Sequence, residues 1–335
     1  MKITILYNLP KTDLEADLDT QESALAVAEE LKAAGLGIQL LGITIEEYSN
    51  FLAKVKGDFV FNLIEWDGED WPFGVKAIEV LEKSGIPFSG SGSVGYRISS
   101  DKTEMKRVMK EKNIPTPAWS VWDGLEWSRS LEQLKFPVII KLAWGHCAAG
   151  ITQDSLAENV NEASLKARRL NETYHQSILA EEYIKGRELH ITVLEKNGQP
   201  WVLHPAEVSF KSKPGYLPIL TYDMKWNDKS WEFAMAGDML IPKLPGRLQK
   251  KIETLAMKAY RVLGGRDYPR LDLRLDGASL WVLEINNNPG IDFEMDSGIG
   301  ASSAAAGFTF RTLLLHIVRN ALLRFKPVSY DPISL

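Results

Sequence analysis

The sequence predicts a mixed α/β protein in which an open parallel sheet, wrapped by helices, comes first and an antiparallel hairpin comes near the end. In residues 1–95 strand and helix patterns alternate, as they do in βαβ units. In residues 270–286 apolar and polar residues alternate on both sides of a turn, as in a hairpin with one buried face. The 335 residues, with 45% hydrophobic content, suffice for two or three packed lobes.

The first 95 residues are expected to form a small parallel sheet. The predicted elements are strands at 3–7, 38–41 and 58–63 and helices at about 20–34 and 72–84. Polar residues follow the strands at 8–20 and 65–71, and ligands of open α/β sheets usually lie at such strand ends. We expect one substrate to bind there. The acidic loop 68–70 could hold an amine, or it could be a solvated turn.

The middle of the chain combines small residues with lysines in unusual places. The sequence GSGSVGY at 90–96 predicts a flexible linker into a new lobe. A helix then opens at Lys102, which is either a surface lysine or one that binds an anion, because the helix dipole disfavours a cation there. Lys141 lies within the apolar strand 136–142 and requires a partner of opposite charge. The small residues of the next loop, 143–150, would let backbone N–H groups approach a phosphate chain.

The second half is expected to hold more strands, three helices and one long irregular segment. The predicted helices lie at 156–170, 245–263 and 304–323, and the predicted strands at 178–184, 188–194 and 201–208. Residues 209–236 show no firm periodicity, and a loop of that length in a compact protein is more often functional than accidental. This loop contains Lys225 and Trp226.

The hairpin carries the strongest chemical signal in the sequence. A three-residue loop would pair Asp276 with Leu280, place Asp272 opposite Glu284 and put Asn286 on the same face. Two carboxylates about 5 Å apart would repel by roughly 3 kcal/mol at an effective dielectric near 20, so they need a proton or a cation. Oxygen ligands of this kind suit Mg²⁺. The alternative is a solvated edge hairpin whose charges have no special role.

Composition excludes several classes of protein. The net charge is −5 and there is no long Lys/Arg block, so we expect neither a nucleic acid nor an anionic membrane as partner. The single cysteine, Cys147, excludes an internal disulfide and fits a reducing compartment, with the cytoplasm as the default. The N-terminus resembles a first strand rather than a signal peptide, and no run of about 18 apolar residues occurs.

Five stretches, in order along the chain, together resemble the ATP-grasp superfamily and within it the D-alanine–D-alanine ligase family. They are DKTEMK at 101–106, FPVIIKLAWGHCAAGI at 136–151, LAEEYIKGRELHITV at 179–193, TYDMKW at 221–226, and RLDLRLDG with LWVLEINNNPG in the hairpin region. The resemblance implies an N-terminal α/β domain at 1–95, followed by two ATP-grasp lobes of α+β type at 96–178 and 179–335. It also implies that a carboxylate takes the γ-phosphoryl group of ATP, forming an acyl phosphate that an amine then attacks.

The same resemblance implies roles for the hairpin and for the lysines. Asp272, Glu284 and Asn286 match the family's Mg²⁺ ligands, where Mn²⁺ could also bind, and Arg270 matches an arginine that stabilises charge at the reacting centre. Three lysines match positions that hold the phosphates of the co-substrate ATP, the last of them on a mobile loop: Lys102, Lys141 and Lys225. The positions that match the adenine and ribose contacts are Glu181, Glu182, Tyr183, Ile184 and Glu188.

The substrate end departs from the family pattern. The serines of the family's phosphate-covering loop are replaced by His146-Cys147-Ala148-Ala149, and Trp226 stands where the family usually has a tyrosine, so it can pack but cannot donate through a phenol. The expected substrate contacts are Glu22 for an amino group, Trp226, Gly290, and Ser297 for a carboxylate. The stretch after Gly290 is about two residues longer than usual, and its Asp292, Glu294 and Asp296 either favour a cationic acceptor or point at solvent.

Two functions remain open on the sequence alone. One is an ATP- and Mg²⁺-dependent ligase for an amino acid or other carboxylate and an amine, of which D-alanyl-D-alanine synthesis is the narrowest version. The other is a nucleotide-binding sensor or partner subunit without turnover, because hydroxyls around the acyl donor are missing. Family analogy suggests a homodimer.

Overall fold

Three sheets organise the computed structural model, which describes residues 1–12, 15–211, 213–235 and 237–325. The first sheet is parallel, with strands β1 (Lys2–Asn8), β2 (Gly37–Ile43) and β3 (Phe59–Leu63) in the order β2-β1-β3. Helices α1 (Glu15–Ala33) and α2 (Trp71–Ser84) accompany it. The predicted parallel sheet is confirmed. Helix α1 begins five residues before the predicted start at 20, because its first turn is too polar to show an apolar period.

The predicted flexible linker at 90–96 is wrong. Helix α3 (Ser93–Ser100) begins inside this segment and is largely buried. A Cβ atom on Gly95 would lie 2.3 Å from the carbonyl oxygen of Gly264, so the glycine permits close packing between two backbones. The hydroxyl of the buried Tyr96 donates to the carbonyl of Trp66 at 2.8 Å. The small residues therefore serve tight packing and not flexibility.

The second sheet lies in the middle of the chain and is antiparallel. Its elements are α4 (Lys102–Glu111), β4 (Trp119–Trp122), β5 (Val138–Leu142), β6 (Leu156–Ala157), α5 (Val160–Tyr174) and β7 (Ile178–Glu182), with strand order β4-β7-β5-β6. Helix α4 begins as predicted, because the Asp101 side chain accepts from the N–H groups of Thr103 and Glu104. Helix α5 begins at Val160 and not at Leu156, because Leu156 pairs with Ile139 in the sheet.

The third sheet carries the hairpin. Its elements are β8 (Arg187–Lys196), β9 (Gln199–Val202), β10 (Ala206–Glu207), α6 (Tyr222–Trp226), α7 (Gly246–Val262), β11 (Arg270–Asp276) and β12 (Ser279–Asn286), with strand order β10-β8-β11-β12 and β9 also paired to β8. The predicted strand 201–208 is divided into β9 and β10, since Pro205 between them has no N–H to donate. Because β7 pairs within the second sheet, we propose that the two lobes meet in the turn 183–186.

The register of the hairpin confirms the predicted facing pair but not the predicted turn. Asp276 pairs with Ser279 across a two-residue turn, so the expected three-residue loop is wrong. The register then shifts by one residue at Leu283, which is a β-bulge, and Asp272 comes to lie opposite Glu284. Leu271 and Ile285 form the next pair, and Arg270 and Asn286 the one after it, on the same face as Asp272 and Glu284.

The C-terminal region contains two helices where one was predicted over 304–323. Helix α8 (Gly298–Ala305) ends near Gly307, whose φ of 89° is left-handed, and α9 (Phe310–Phe325) follows. Leu313, Leu314 and Ile317 of α9 pack in one core with β1, β3 and α1. No single helix of the described chain is long and apolar enough to cross a membrane, although α8 and α9, bent by 93°, pass together on length and composition.

Candidate active site

One cavity of about 710 Å³ collects every residue that the sequence assigned to the site. The residues come from the second and third sheets, from helices α1 and α4, from the chain around α6, and from the loop between β12 and α8. They are Glu22, Lys102, Lys141, Glu181, Glu182, Tyr183, Ile184, Glu188, Lys225, Trp226, Arg270, Asp272, Glu284, Asn286, Gly290 and Ser297. The cavity can therefore hold a nucleotide and smaller substrates side by side.

Lys102 and Glu284 form a charged pair at the start of α4. The Lys102 Nζ lies 3.4 Å from Oε2 of Glu284 and also contacts the carbonyl of Gly145 in the loop after β5. Lys102 is only 7% exposed, so it is not a surface lysine. Burial alone would raise the pKa of Glu284, but Lys102 and Lys141 outweigh burial and hold that pKa well below its usual range.

The lysine of the apolar strand β5 has the partner that its position requires. The Nζ of Lys141 lies 3.0 Å from Oε1 of Glu181, and the other carboxylate oxygen pairs with Lys106, which the sequence analysis missed. Burial lowers the pKa of Lys106 to about 8, against the opposing effect of Glu181. Lys106 follows Lys102 by four residues on α4, and this spacing could have indicated that both face the same side.

The segment after β7 is fixed by backbone hydrogen bonds. The N–H of Glu182 donates to the carbonyl of Ala118 at 2.9 Å, and that of Tyr183 donates to the carbonyl of Pro137 at 3.0 Å. The fold therefore uses these two N–H groups itself, and Ile184 follows them on the cavity wall.

Glu188 faces the cavity from the start of β8. It pairs with Arg274, whose Nη2 lies 2.8 Å from Oε2 of Glu188. Burial raises the pKa of Glu188, but the positive groups around it, Arg274 first, together outweigh burial, so the net pKa is lowered. Arg274 was not predicted as a site residue, although it faces the same side of β11 as Arg270 and Asp272.

The hairpin face holds two carboxylates, an amide and a guanidinium. Arg270 donates to Asp272 through Nε at 2.8 Å and Nη2 at 2.9 Å, and Asn286 donates to Asp272 at 3.2 Å. Among the described residues no group of three or more His, Cys, Asp or Glu side chains stands ready to hold a metal ion. The oxygens of Asp272, Glu284 and Asn286 nevertheless fit a cation such as Mg²⁺, which usually takes one or two carboxylates and completes its shell with water and phosphate.

The chain around α6 lines the cavity and is hydrogen-bonded to the loop after β5. Thr221 caps α6 by accepting from the N–H of Met224, and Lys225 and Trp226 follow in the helix. The indole N–H of Trp226 donates to the carbonyl of Cys147 at 3.0 Å, so the side chain does more than pack. The N–H of Tyr222 donates to the carbonyl of Ile151 at 3.0 Å.

The loop after β5 contains two residues with left-handed backbones, Cys147 with φ 55° and Ala148 with φ 62°. Burial, aided by Glu65, raises the pKa of the Cys147 thiol to about 12. The thiol therefore stays protonated at neutral pH and is a poor nucleophile. Burial, followed by the charge of Lys102, lowers the pKa of His146, which favours the neutral ring.

Carboxylates cluster where α1 meets the loop after β12. The predicted Glu22 lies exposed at the cavity rim, whereas Asp19, one turn earlier, is half-buried. A Cβ atom on Gly290 would lie 3.2 Å from Oδ2 of Asp19 and 4.0 Å from Oε2 of Glu65. Burial, followed by Asp19 and Asp67, raises the pKa of Glu65 to about 8. The sequence analysis did not single out Asp19 or Glu65, but both lie in the strand-end segments, 8–20 and 65–71, where it expected a substrate to bind.

The loop between β12 and α8 supplies the last wall. Ser297 caps α8 by accepting from the N–H of Gly300 at 3.4 Å. Asp292 is half-buried and burial raises its pKa to about 6, whereas Glu294 and Asp296 are exposed. Of the three acids in this loop, Asp292 therefore contributes most to the charge inside the cavity.

Comparison with known proteins gives the same family at several levels. The family model described as D-ala D-ala ligase C-terminus matches residues 108–319. The D-alanine–D-alanine ligase of Moorella thermoacetica is 30% identical over 338 residues, covering 96% of this chain and 99% of the relative. The uncharacterized protein y4sG of Sinorhizobium fredii is 30% identical over 280 residues, covering 82% of this chain and 77% of the relative.

A solved structure supports the fold. The D-alanine–D-alanine ligase of Bacillus anthracis, crystallised with ATP, aligns with a TM-score of 0.75 and 20% identity, covering 97% of this chain and 98% of that one. The three sheets found here thus have the fold of an ATP-grasp protein. The chain belongs to the D-alanine–D-alanine ligase family and is an ATP-dependent ligase.

Proposed function

We propose that the protein joins the carboxylate of one small substrate to the amine of another through an acyl phosphate formed from ATP. One observation carries the proposal. A single cavity sets four cationic side chains beside the facing carboxylates of Asp272 and Glu284: Lys102, Lys141, Lys225 and Arg270. Phosphoryl transfer spreads negative charge over several oxygens, and a cluster of fixed cations favours that transfer.

Each part of the cavity has a role in this reaction. Lys102 and Lys141 hold phosphate oxygens, and Lys225 closes on the terminal phosphate from α6. Glu188 accepts from the ribose hydroxyls. The backbone of the segment 181–184 borders the adenine, and Ile184 is the proposed hydrogen-bonding residue because the N–H groups of Glu182 and Tyr183 are already used.

Charge at the reacting centre is balanced by the hairpin. Arg270 stabilises the oxygens of the transferring group and of the acyl carbonyl. Asp272, Glu284 and Asn286 would hold Mg²⁺ or Mn²⁺, which supplies further charge neutralisation when bound. A carboxylate is a poor electrophile, and phosphorylation gives it a leaving group that the amine then displaces as phosphate.

The acidic end of the cavity supports amine-bearing substrates. Asp19 and Glu65 would hold the ammonium group of the acyl donor near Gly290. Glu22, at the cavity rim, would attract the same ammonium group as it enters. Ser297, at the N-terminus of α8, suits the carboxylate of the acceptor. Two D-alanine molecules are the first pair to test, but the charge of Asp292 favours an acceptor with a second amine.

The same proposal includes the partners, the oligomeric state and the compartment of the protein. The partners are small molecules, with neither nucleic acid nor membrane involved, and a homodimer is proposed from family analogy. The lone Cys147 suits a reducing cytoplasm.

A matrix of substrates tests the ligase. The purified chain is incubated with ATP, Mg²⁺ and pairs of D- and L-amino acids, including diamino acids, while phosphate release is followed. We expect release that depends on both an acid and an amine, with the dipeptide found by mass spectrometry. If ATP binds but no pair releases phosphate, the proposal is wrong.

The alternative is a nucleotide-binding module without turnover. It is suggested by the replacement of the loop serines by His146 to Ala149. Arg270 and Lys225 in the cavity argue against it, because nucleotide binding alone does not require cations at the reacting centre. Isotope exchange in ATP between bridging and non-bridging positions, dependent on a carboxylic acid, would eliminate the inert module.

A further inference from the structure

His190 is a buried side chain in the cavity that the proposed reaction does not yet use. It lies on β8 and is 3% exposed. Neither ring nitrogen has a hydrogen-bond partner among the residues that the structure describes. Buried polar groups are nearly always hydrogen-bonded, so an imidazole without a partner on a cavity wall points to a ligand.

The surroundings of His190 hold its ring in one place. On one side, a Cβ atom on Gly298 would lie 2.6 Å from Cβ and 2.7 Å from Nδ1 of His190, so only glycine leaves room for the ring. On the other side, Nε2 lies 3.7 Å from Oδ1 of Asp272 and 3.9 Å from Oε1 of Glu188. His190 and Asp272 are directly paired in the sheet, so both point to the same face.

Nε2 of His190 and Oδ1 of Asp272 are near enough to become ligands of one cation. Ligand atoms about 2.1 Å from a metal ion lie roughly 3 Å apart at a right angle. The 3.7 Å between Nε2 and Oδ1 exceeds this spacing by about 0.7 Å, so a shared ion would draw the two side chains together by that amount. Asp272 also accepts from Arg270, but a carboxylate has about four lone pairs and can serve both.

An imidazole changes which ion a site prefers. Mg²⁺ favours oxygen ligands, whereas imidazole suits the divalent transition metals. His146 also lines the cavity, but His190 is the imidazole that lies beside Asp272.

We propose that His190 and Asp272 together ligate a divalent transition-metal ion of the Mn²⁺ class, which this protein binds more tightly than Mg²⁺. The inference rests on the proposed function, because the ion is the one that accompanies the phosphates of ATP. His190 would add a nitrogen ligand to the proposed oxygen ligands Asp272, Glu284 and Asn286, and phosphate oxygens and water would complete the shell.

Pulsed electron paramagnetic resonance tests the contact directly. The full chain, with ¹⁵N-labelled histidines, is mixed with Mn²⁺ and a non-hydrolysable ATP analogue, and coupling between Mn²⁺ and ¹⁵N is recorded. The label separates histidine from the unlabelled adenine nitrogens. We expect coupling in the unmodified protein and tighter binding of Mn²⁺ than of Mg²⁺ by titration.

Two variants identify the histidine. His190→Gln keeps an oxygen donor near the same place, and we expect it to bind Mn²⁺ about tenfold more weakly and to lose the coupling. His146→Gln is the matched control, since His146 lines the same cavity and its variant should keep the coupling. Melting temperatures of both variants without metal verify that they fold.

Four results would overturn the role of His190: no Mn²⁺ binding, no coupling in the unmodified protein, coupling that survives in His190→Gln, or Mg²⁺ bound as tightly as Mn²⁺. The ligase function is judged separately, by phosphate release with Mg²⁺. Phosphate release without coupling would refute the ligand and leave the ligase, whereas coupling without turnover would do the reverse.

Discussion

The two ends of the cavity balance their charges in opposite ways. At the nucleotide end three carboxylates each face a cation: Glu181 faces Lys141, Glu188 faces Arg274, and Glu284 faces Lys102. The pKa values of all three carboxylates are lowered. At the amino-acid end Asp19, Glu65 and Asp292 form no ion pair within the described ranges, and their pKa values are raised by burial. These carboxylates of the nucleotide end already have their counterions in the protein, whereas those of the amino-acid end require a cation from the substrate.

This difference separates what the family shares from what is particular to this chain. Carboxylates that are buried without partners bind a proton or a cationic group, and a substrate ammonium satisfies them without a change in the fold. The paired charges at the nucleotide end therefore indicate the class of reaction, and the unpaired carboxylates at the amino-acid end indicate the charge of the substrate. The predictions below test each end in turn.

The largest effect is expected at the hairpin. Glu284→Gln removes a proposed metal ligand that faces Asp272. It should lower phosphate release by about 10²-fold or more, because the metal then neutralises the negative charge of the transferring phosphoryl group less well. The melting temperature should change little, since Gln keeps the shape. Glu172→Gln, exposed and outside the cavity, serves as control, and unaltered turnover of Glu284→Gln would exclude Glu284 from the reacting centre.

Lys141 and Lys106 share one carboxylate, yet only Lys141 lines the cavity. Lys141→Met should raise the KM for ATP by about tenfold or more, because a phosphate contact is lost. Lys106→Met should instead lower the free energy of unfolding by about 3 kcal/mol, as expected when a buried ion pair is broken. Steady-state kinetics and urea unfolding measure the two effects. Equal loss of ATP affinity in both variants would contradict this division.

At the amino-acid end, Asp19→Asn should raise the KM for the acyl donor by about tenfold and leave the KM for ATP unchanged, because one ammonium contact is weakened. Glu22→Gln should have a smaller effect, since Glu22 is exposed at the rim. Glu29, exposed on the same helix, provides the control variant. A larger effect at Glu22 than at Asp19 would reverse this assignment.

Glu65 should make the unliganded protein less stable as pH rises. Its pKa in the folded chain is about 8, against an ordinary value of 4.5, so between these pH values the folded state binds more protons than the unfolded state. Stability is therefore lost as pH rises from about 5 to 8, by at most about 1.4 kcal/mol per pH unit. Glu65→Gln should flatten this dependence in thermal melts, and the exposed Glu69→Gln should not. A steep dependence that persists in Glu65→Gln would assign it to other groups.

The smallest effect is expected at the contact that closes the cavity. Trp226→Phe keeps an aromatic ring but removes the hydrogen bond to the carbonyl of Cys147, which is worth about 1 kcal/mol. The KM for ATP should rise about threefold to fivefold, because Lys225 is held less often over the phosphates. Limited proteolysis in the segment 209–236 should become faster. Unchanged proteolysis and kinetics would show that this bond does not hold the segment.

The nucleotide end could be predicted from the sequence because its signals are local. Lys102 follows a capping aspartate, Lys141 interrupts an apolar strand, and Asp272 alternates with leucines in β11. Spacing also places His190 on the face of Glu188, because it follows Glu188 by two positions on β8.

At the amino-acid end the sequence indicated the segments, 8–20, 65–71 and the stretch after Gly290, but not which of their side chains meet. Asp19 in α1, Glu65 after β3 and Asp292 before α8 are far apart in sequence, and no local pattern relates them. They become neighbours only when α1 and the end of β3 pack against the loop at Gly290. The buried helix α3 was misread for a related reason, because the partner of Gly95 is Gly264.

The extra residue Leu283 decides whether Asp272 and Glu284 lie on the same face of the hairpin. From the turn, β11 takes four steps to Asp272 and β12 takes five steps to Glu284. With the same turn and equal steps, Leu283 would stand opposite Asp272 and Glu284 would face away, because successive residues of a strand alternate. If the turn after Asp276 gained one residue by taking in Ser279, Asp272 and Glu284 would stay opposite each other only if the bulge at Leu283 were lost from β12.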